Sequence, residues 1–423
     1  MSEKNKSKVV YGRLALKEIF NQLKNREEYT LIHFNIKKFR YFLVRHDFTA
    51  GDILLEQLIK EFAKHLESNE ILCYDKHDNF LFLIHENEED KIEQFIRKMD
   101  NVGYLLEDSR FYNRVFFSIG ICEIKRFLDA DFEAICLYAD LARKESIELA
   151  KKSTTYEYFT PKHLQHFLER AILEVKTVDA CRKENYSIYI QPKIDVKTMK
   201  ICGGEALLRW FDEDGTMIPL SSFLPVLNEN SYIRYVDQMV FELVCRMIQE
   251  SLKQGIPMVP ISFNLSKASF EDDCFMEEYM EIFHQFDVPK EYIEFELLET
   301  ISMDQTSRLH KVVDVIHKEG FRCALDDFGI GYSSMGTLAQ VPLDTIKLDR
   351  SLFMIHHKNV DNFVIVDGMI NILKHFPVTI VAEGVESAEV VEHLRKKECD
   401  MIQGYYFYRP MPMREFQNLL KNQ

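Results

Sequence analysis

Eight short apolar segments, each long enough for one β-strand, recur along the second half of this chain. They fall at residues 186–194, 201–210, 260–266, 292–299, 322–328, 345–349, 379–385 and 401–407. Most of the spacers between them carry helical patterns, for example the apolar residues from Met239 to Ile248 and from Val312 to Ile316. Eight strands with helical crossovers in about 220 residues fit a closed (β/α)8 barrel better than an open, doubly wound sheet.

The connection between the first two segments departs from this pattern. Only DVKTMK, residues 195–200, separates them. Six residues are too few for a right-handed crossover helix, which a parallel pair would need. The sequence therefore predicts that the first two strands are antiparallel and that the barrel is modified at this point.

An acidic or amide residue stands near the carboxyl end of one predicted strand after another. These residues are Glu205, Asn264, Glu296, Asp326, Asp327 and Glu383. Because the carboxyl ends of barrel strands meet at one mouth, we expect these side chains to become neighbours. Any one of these acids alone would more often be a solvated or helix-capping residue. Their shared position at strand ends favours a common site instead.

The chemistry of this set predicts a pair of metal ions. Carboxylates crowded at one mouth raise one another's pKa unless cations lie between them. Oxygen ligands with one neutral amide favour Mg²⁺ or Mn²⁺ over zinc. Of the adjacent Asp326 and Asp327, one can bridge two ions while the other holds the second, as in phosphoryl-transfer enzymes.

Two basic residues accompany the predicted metal site. Lys347 ends the strand TIKL, where it would position a water or stabilise charge on phosphorus, and Arg209 is placed to clamp a phosphate oxygen. The alternatives are a surface position for Lys347 and stacking of Arg209 on the adjacent Trp210. The glycines of DDFGIGYSS indicate a tight turn more than a phosphate loop, and His310, His317, His356 and His357 are interpreted as helix-surface residues.

The first third of the chain predicts a smaller α/β unit. From about residue 28 to 152 the pattern is strand, helix, hairpin, helix, strand, helix. The hairpin pairs ILCY with FLFLI across the turn-forming residues 75–79. A polar break, KKSTTYEYFTP at 151–161, predicts the domain boundary, and Pro161 in it predicts the start of a new helix.

Composition limits the classes of partner. The chain has 423 residues, enough for two or three domains, and 46% of them are hydrophobic. Its formal net charge of −15 argues against binding an extended nucleic acid. Nine scattered cysteines without a CxxC pair predict a reducing cytoplasm. No signal-peptide core and no long apolar run is present, so we expect neither export nor membrane insertion.

The motifs EALLRW, NLS, ELLE, DDFGIGYSS, KLD, AEGVE and QGYYFYRP, in this order, resemble those of the bacterial EAL-domain phosphodiesterases of cyclic di-GMP. The resemblance covers about residues 165–423. It implies a TIM-like barrel with two metal ions, Mg²⁺ or Mn²⁺, that hydrolyses cyclic di-GMP to linear pGpG. It also implies a homodimer formed through this domain.

The resemblance assigns roles to matching positions. The implied metal ligands are Glu205, Asn264, Glu296, Asp326, Asp327 and Glu383, with Asp326 shared by both ions. The residues implied for catalysis are Lys347, Glu383, Gln403, Asp327 and Glu299. Within that group Lys347 and Gln403 would touch the nucleophilic water, and Glu299 would brace the DDFGIGYSS loop near a dimer interface. The residues implied for substrate binding are Gln191, Arg209, Glu205 and Leu207.

Two positions depart from the family pattern without removing a metal ligand. Leu298 stands where the family usually has Thr, and Asn228 stands where an Ala-Glu pair usually ends. These departures bear on the rigidity of the loop and on turnover rate rather than on the type of reaction.

Residues 1–155 resemble a degenerate GGDEF domain, followed by a helical linker over 156–180. KHDNF, at 76–80, occupies the hairpin where GGDEF would lie, so both glycines are missing. Asn35 and Lys37 replace the paired metal acids of that family, and a lysine would repel Mg²⁺. The inhibitory RxxD element is absent at 67–70. We therefore expect no diguanylate cyclase activity, while GTP binding and a regulatory or dimerising role stay open.

Three functions remain as alternatives at this point. The first is an active cytoplasmic cyclic di-GMP phosphodiesterase, which the complete ligand set favours. The second is a catalytically weak or inactive receptor that binds cyclic di-GMP without cleaving it; loss of a metal acid would be its signature, and none is missing. The third is a hydrolase of another cyclic dinucleotide or of pGpG, because base contacts rather than the metal site decide that specificity.

Overall fold

The computed structural model divides the chain into two units, Met1–Ala171 and Ile172–Gln423. The residues it describes are 8–86, 88–105, 115–149, 153–182, 185–272, 274–298, 306–329, 340–353 and 363–423. Among these residues, no helix combines the length and the apolar composition needed to cross a lipid bilayer. All nine cysteines are free thiols.

The first unit contains a mixed six-stranded sheet. Its strands are β1 (Val9–Tyr11), β2 (Thr30–Ile36), β3 (Ile71–Tyr74), β4 (Asn79–Ile84), β5 (Phe117–Glu123) and β6 (Thr155–Tyr158). They lie in the order β1-β3-β4-β2-β5-β6, and only the outer pairs β1–β3 and β5–β6 are parallel. The predicted hairpin is confirmed, with Tyr74 opposite Phe80.

Apolar clusters cover both faces of this sheet. The helices are α1 (Arg13–Gln22), α2 (Phe39–His46), α3 (Phe48–His65), α4 (Glu89–Leu105) and α5 (Phe132–Leu149). Residues on the two faces of β2 enter opposite clusters: Phe34 packs with Phe62 of α3, and Leu31 belongs to the cluster of Phe132 of α5. The sheet is therefore buried on both sides, which explains why its central strands are apolar without alternation.

The first sheet extends into the polar break at 151–161. Strand β6 lies inside that break and pairs in parallel with β5, so Thr155–Tyr158 is part of the first sheet. The helix predicted to begin at Pro161 does begin there, as α6 (Pro161–Arg182). A short polar edge strand carries too weak a periodicity to be recognised from sequence.

The second unit is a closed eight-stranded barrel, as predicted. Its strands are β7 (Tyr186–Asp195), β8 (Ile201–Phe211), β10 (Ile261–Leu265), β11 (Ile293–Leu298), β12 (Arg322–Phe328), β13 (Thr345–Leu348), β14 (Thr379–Ala382) and β15 (Met401–Ile402). Strand β7 closes the barrel by pairing antiparallel with both β8 and β15, while the other neighbours are parallel. The antiparallel first pair is therefore confirmed. Two-residue strands, β9 (Met217–Ile218) and β16 (Met411–Pro412), extend the edges of β8 and β7.

Helices surround the barrel, and alternate strand residues pack against them. They are α7 (Leu220–Glu229), α8 (Ile233–Lys253), α9 (Phe275–Phe283), α10 (Thr306–Lys318), α11 (Val364–Leu373), α12 (Ala388–Lys396) and α13 (Met413–Lys421). Phe263 and Phe295, neighbours in register with ring centroids 4.7 Å apart, pack against Phe241 of α8. Because strand side chains alternate, Ser262, Asn264, Glu294 and Glu296 then face the barrel interior.

Candidate metal centre

The barrel brings the predicted acids together at one mouth. Two groups of carboxylates form there, and within each group one oxygen from every residue lies within 4.8 Å of the others. The first group is Glu205, Glu296 and Asp326; the second is Asp326, Asp327 and Glu383. Asp326 belongs to both groups. The arrangement can hold metal ions, because each group offers three oxygen ligands converging on a small volume.

Asn264 lies beside the first group. Its Nδ2 donates a hydrogen bond to Oε1 of Glu205 over 3.1 Å, across the paired strands β8 and β10. The Asn264 side chain is exposed, and it stands directly opposite Glu296 in the register of β10 and β11. The amide is therefore next to two acids of the cluster.

A distortion of β12 explains how two consecutive aspartates reach the same cluster. In a regular strand Asp326 and Asp327 would face opposite sides of the sheet. The register of β12 against β13 shifts between Leu325 and Phe328, and Asp327 has a φ of 57°, in the left-handed region. The N–H of Asp327 donates to Oδ1 of Asp326 over 2.9 Å, which closes this turn. Aspartate tolerates left-handed backbone better than most residues.

Lys347 is buried at the centre of the acids. Its Nζ lies 2.6 Å from Glu296 Oε2, 2.7 Å from Glu383 Oε1, 3.1 Å from Asp326 Oδ1 and 3.3 Å from Glu205 Oε2. Only 1% of the residue is exposed. Burial alone would lower the pKa of this amine, but the surrounding carboxylates outweigh it and raise the pKa well above its usual value. Lys347 is therefore a fixed positive charge and not a surface lysine.

The pKa values of the acids are shifted in different directions by their surroundings. Burial raises the pKa of Glu383 to about 8, and burial together with the charge of Glu296 raises that of Glu205. Burial also disfavours the charged form of Glu296, but the Lys193 and Lys347 cations outweigh it and hold its pKa at about 2. Glu383 therefore needs further positive charge nearby to be largely ionised at neutral pH, and metal ions would supply it. The same positive charge would favour the ionised form of Glu205.

Two glutamines line the same mouth. Nε2 of Gln403 donates to Glu205 Oε2 over 2.7 Å and to Gln191 Oε1 over 3.1 Å. Nε2 of Gln191 in turn donates to the carbonyl oxygen of Tyr408 over 3.2 Å. Oε1 of Gln403 is buried without a hydrogen-bond partner among the described residues. A buried acceptor of this kind calls for a water or another donor within the cleft.

Arg209 and Leu207 follow Glu205 at two-residue intervals along β8, so the three share one face of that strand. Arg209 is half-buried, its guanidinium lies 5.7 Å from the ring centroid of Tyr189, and its Nη1 donates to the carbonyl oxygen of Leu208. Burial lowers the pKa of this guanidinium. The remaining predicted positions, Glu299, most of the DDFGIGYSS loop, and His356 with His357, lie outside the described residues.

Sequence reasoning missed a second set of polar residues inside the barrel. Lys193, Ser262, Glu294 and Thr345 are all buried, and they lie beneath the acids. Nζ of Lys193 is 2.9 Å from Glu296 Oε1, and Oγ1 of Thr345 donates to Glu294 Oε1 over 2.6 Å. The available signal was period two: Lys193 follows Gln191, and Glu294 precedes Glu296, by two residues on the same strand.

A family model described as the EAL domain matches residues 175–410. The chain belongs to the EAL-domain family. It is 27% identical over 86% of its length to the oxygen sensor protein DosP of Escherichia coli (strain K12), and 26% identical over 88% to the cyclic di-GMP phosphodiesterase PdeR of the same organism. It covers 45% of DosP and 56% of PdeR, about half of each relative.

Solved EAL structures support the same assignment of fold. The PaMucR phosphodiesterase in complex with c-di-GMP has a TM-score of 0.54 and 26% identity, and the match covers 58% of this chain and 99% of that one. The EAL enzyme Bd1971 with cAMP and cyclic di-GMP bound has a TM-score of 0.56 and covers 82% of each chain, at 20% identity. This second likeness concerns the fold alone.

Proposed function

We propose that this EAL-domain protein is a phosphodiesterase that hydrolyses cyclic di-GMP to linear pGpG with two divalent ions, Mg²⁺ or Mn²⁺. The observation that carries the proposal is the pair of oxygen-ligand groups that share Asp326 at the barrel mouth. PdeR, described as a cyclic di-GMP phosphodiesterase, and the PaMucR phosphodiesterase, solved in complex with c-di-GMP, support the choice of substrate.

The donors fit hard divalent ions. One ion would be held by Glu205, Asn264, Glu296 and Asp326, and the other by Asp326, Asp327 and Glu383. All of these donors are oxygens, which Mg²⁺ and Mn²⁺ prefer. The raised pKa of Glu383, about 8 because of burial, marks a carboxyl group that ionises readily only beside added positive charge. When bound, such ions acidify a water molecule and neutralise charge on the phosphate.

The chain's own residues would bind and orient the reacting groups. Lys347 carries a permanent charge among the acids, which suits it to stabilise negative charge that develops on the phosphodiester. Gln403, whose Oε1 is free to accept, would orient the attacking water. Gln191, Leu207 and Arg209 would contact the substrate, and the guanidinium would bind a phosphate oxygen. Glu299 would brace the loop that follows Asp327.

We also propose that the first unit is a degenerate GGDEF-like domain that regulates or dimerises the enzyme and is not a cyclase. Asn35 donates to the carbonyl oxygen of Asp78 on the hairpin, and Lys37 donates to Thr155 Oγ1 over 2.6 Å. Neither side chain offers the carboxylate that a nucleotide-bound metal ion needs. Homodimerisation through the EAL domain and GTP binding at the first unit belong to the same proposal.

Product analysis tests the activity. Purified protein with Mg²⁺ or Mn²⁺ should convert cyclic di-GMP to pGpG. Chromatography measures the amounts of substrate and product. Replacing Glu205 with Gln keeps the shape but removes one ligand charge, so turnover should fall by at least about a hundred-fold. Glu281→Gln, on the exposed surface of α9, is the matched control and should keep wild-type turnover.

The outcomes separate the alternatives. Tight cyclic di-GMP binding that EDTA does not change, with no pGpG at high protein concentration, would identify a receptor and reject the enzyme. Faster cleavage of cyclic di-AMP than of cyclic di-GMP would reject the substrate but keep the reaction class.

A further inference from the structure

Lys193 is a second buried lysine beneath the metal-binding acids, and none of the roles assigned above uses it. It lies on β7, two residues beyond Gln191 and on the same face, and 3% of it is exposed. Its Nζ is 2.9 Å from Glu296 Oε1, 2.8 Å from Ser262 Oγ and 3.8 Å from Glu294 Oε2. A fully buried ammonium with three polar partners is held in one place.

The contact between Lys193 and Glu296 crosses the barrel interior. Strands β8 and β10 separate β7 from β11 in the sheet, so these side chains meet only through the centre. Strand β7 is the antiparallel one, and it supplies Gln191 at the mouth and Lys193 below it. Strand β7 therefore contributes side chains both to the barrel mouth and to the layer of polar residues beneath it.

The two oxygens of Glu296 have separate partners. Oε1 contacts Lys193, and Oε2 contacts Lys347. Lys347 also touches Glu205, Asp326 and Glu383, whereas Glu296 is the one mouth acid that Lys193 touches within the described part of the chain. Anchoring Oε1 from below fixes the plane of the carboxylate and directs Oε2 towards the acids.

Glu294 is a second carboxylate that shares the charge of Lys193 with Glu296. Its Oε2 faces Lys193, and its Oε1 accepts from Thr345 Oγ1. Glu294 thus provides a counter-charge for the buried ammonium, which would otherwise be costly. Because Lys193 divides its charge between two carboxylates, Glu296 keeps more of its own negative charge for a cation at the mouth.

We propose that Lys193 is a positioning residue for metal binding: it holds Oε1 of Glu296 so that Oε2 is presented to the ion, with Glu294 as its counter-ion. The inference rests on the two-metal site proposed above and extends it to the layer beneath. Residues of this kind, which orient a ligand without touching the metal, commonly change metal affinity by about 10- to 100-fold when replaced.

The test is a calorimetric titration of the full-length protein with Mn²⁺ in the absence of substrate, which measures the affinity for Mn²⁺. Lys193→Met alone would remove one of the two cations that face the buried Glu294, the other being Arg322 at 3.8 Å. The main variant is therefore Lys193→Met with Glu294→Gln. This double variant should bind Mn²⁺ about 10- to 100-fold more weakly than wild type. Glu294→Gln alone is the matched control; it keeps Lys193 on Glu296 and should bind Mn²⁺ within about two-fold of wild type.

A second variant covers the case in which the double variant does not fold. Lys193→Gln keeps one N–H donor for Oε1, so its Mn²⁺ affinity should lie between those of wild type and of the double variant. Equal Mn²⁺ affinity in wild type, Lys193→Gln and the folded double variant would overturn the proposal. So would an equal loss in the Glu294→Gln control.

Steady-state kinetics provide a second, independent test of the role of Lys193. They also distinguish a failure of this role from a failure of the proposed reaction. At limiting Mn²⁺ the Lys193 variants should lose kcat, and excess Mn²⁺ should restore it, while KM for cyclic di-GMP changes little. A loss of kcat that excess Mn²⁺ does not restore would count against positioning. If wild type binds Mn²⁺ but forms no pGpG, the proposed function fails, whereas the titration still decides the role of Lys193.

Discussion

A single buried lysine contacts four of the five acids at the barrel mouth. Lys347 lies within 3.3 Å of carboxylate oxygens from four residues, on four different strands or their ends. Buried ion pairs are costly to break, because the remaining partner keeps its charge without compensation. Lys347 should therefore matter to stability as well as to chemistry.

Replacing Lys347 with Met should destabilise the metal-free protein by about 3–5 kcal/mol, since the buried acids lose their cation. Saturating Mn²⁺ should recover much of this loss, because ions that bind only the folded state stabilise it by mass action. Denaturant unfolding in EDTA and in Mn²⁺ measures both effects, and Trp210, the only tryptophan, reports on the barrel. Lys311→Met, on an exposed helix position, is the control. An equal deficit with and without Mn²⁺ would contradict the prediction.

At the scale of elements, helix α8 holds the turn that follows Asn264. Asp237 of α8 is buried, and its Oδ2 accepts hydrogen bonds from the Ser266 N–H over 2.9 Å and from Ser269 Oγ over 2.6 Å. Ser266 precedes the short 3-10 helix Lys267–Phe270, so these bonds fix the exit of β10. Burial raises the pKa of Asp237 to about 6.

A raised pKa makes the charged form of Asp237 unfavourable in the folded state. The protonated Asp237 carboxyl group contributes fully to the free energy of unfolding below pH 3.8, its pKa in the unfolded chain. This contribution is lost as the pH rises through about 6, its pKa in the folded protein. Asp237→Asn should therefore gain stability relative to wild type between these values, by at most roughly 3 kcal/mol. Urea unfolding followed through Trp210 at several pH values measures the difference. The exposed Asp287→Asn should show no such trend, and a constant difference for Asp237→Asn would refute the assignment.

At the scale of the molecule, the two units should respond differently to acid. His33, on the central strand β2 of the first unit, is buried, and its Nε2 lies 3.0 Å from Asn79 Oδ1. Burial and the nearby Arg143 cation lower its pKa from 6.5 to about 4. The folded first unit thus holds a neutral imidazole that the unfolded chain would protonate.

The first unit should lose stability as the pH falls from 6.5 to about 4, by at most roughly 3 kcal/mol from this group. Hydrogen exchange of the amides of β2 and β5 measures the effect separately from the barrel. His33→Gln keeps an N–H donor for Asn79 without a titrating ring, so its exchange protection should depend less on pH in this range. The same pH dependence in both proteins would assign the effect to other groups.

The sequence determined the features that depend on local pattern. Strand-length apolar segments with helical spacers predicted the barrel, a six-residue link predicted the antiparallel first pair, and strand-end acids predicted the cluster around Asp326. These predictions are correct because each depends on a few consecutive residues: the alternation of side chains along a strand, the length of a connection, or the common direction of parallel strands.

The tertiary structure alone decided which partners meet across the barrel. Lys193 and Lys347 share Glu296 through the interior, and a register shift turns Asp327 towards the same acids as Asp326. The sequence predicted that Asp326 and Asp327 share a site, but no sequence spacing predicts the register shift that allows it or the contacts of the two lysines with Glu296. The stagger of the closed strands sets which side chains face each other. Strand β6 was missed for a related reason, because its identity comes from pairing with β5 and not from its own four residues.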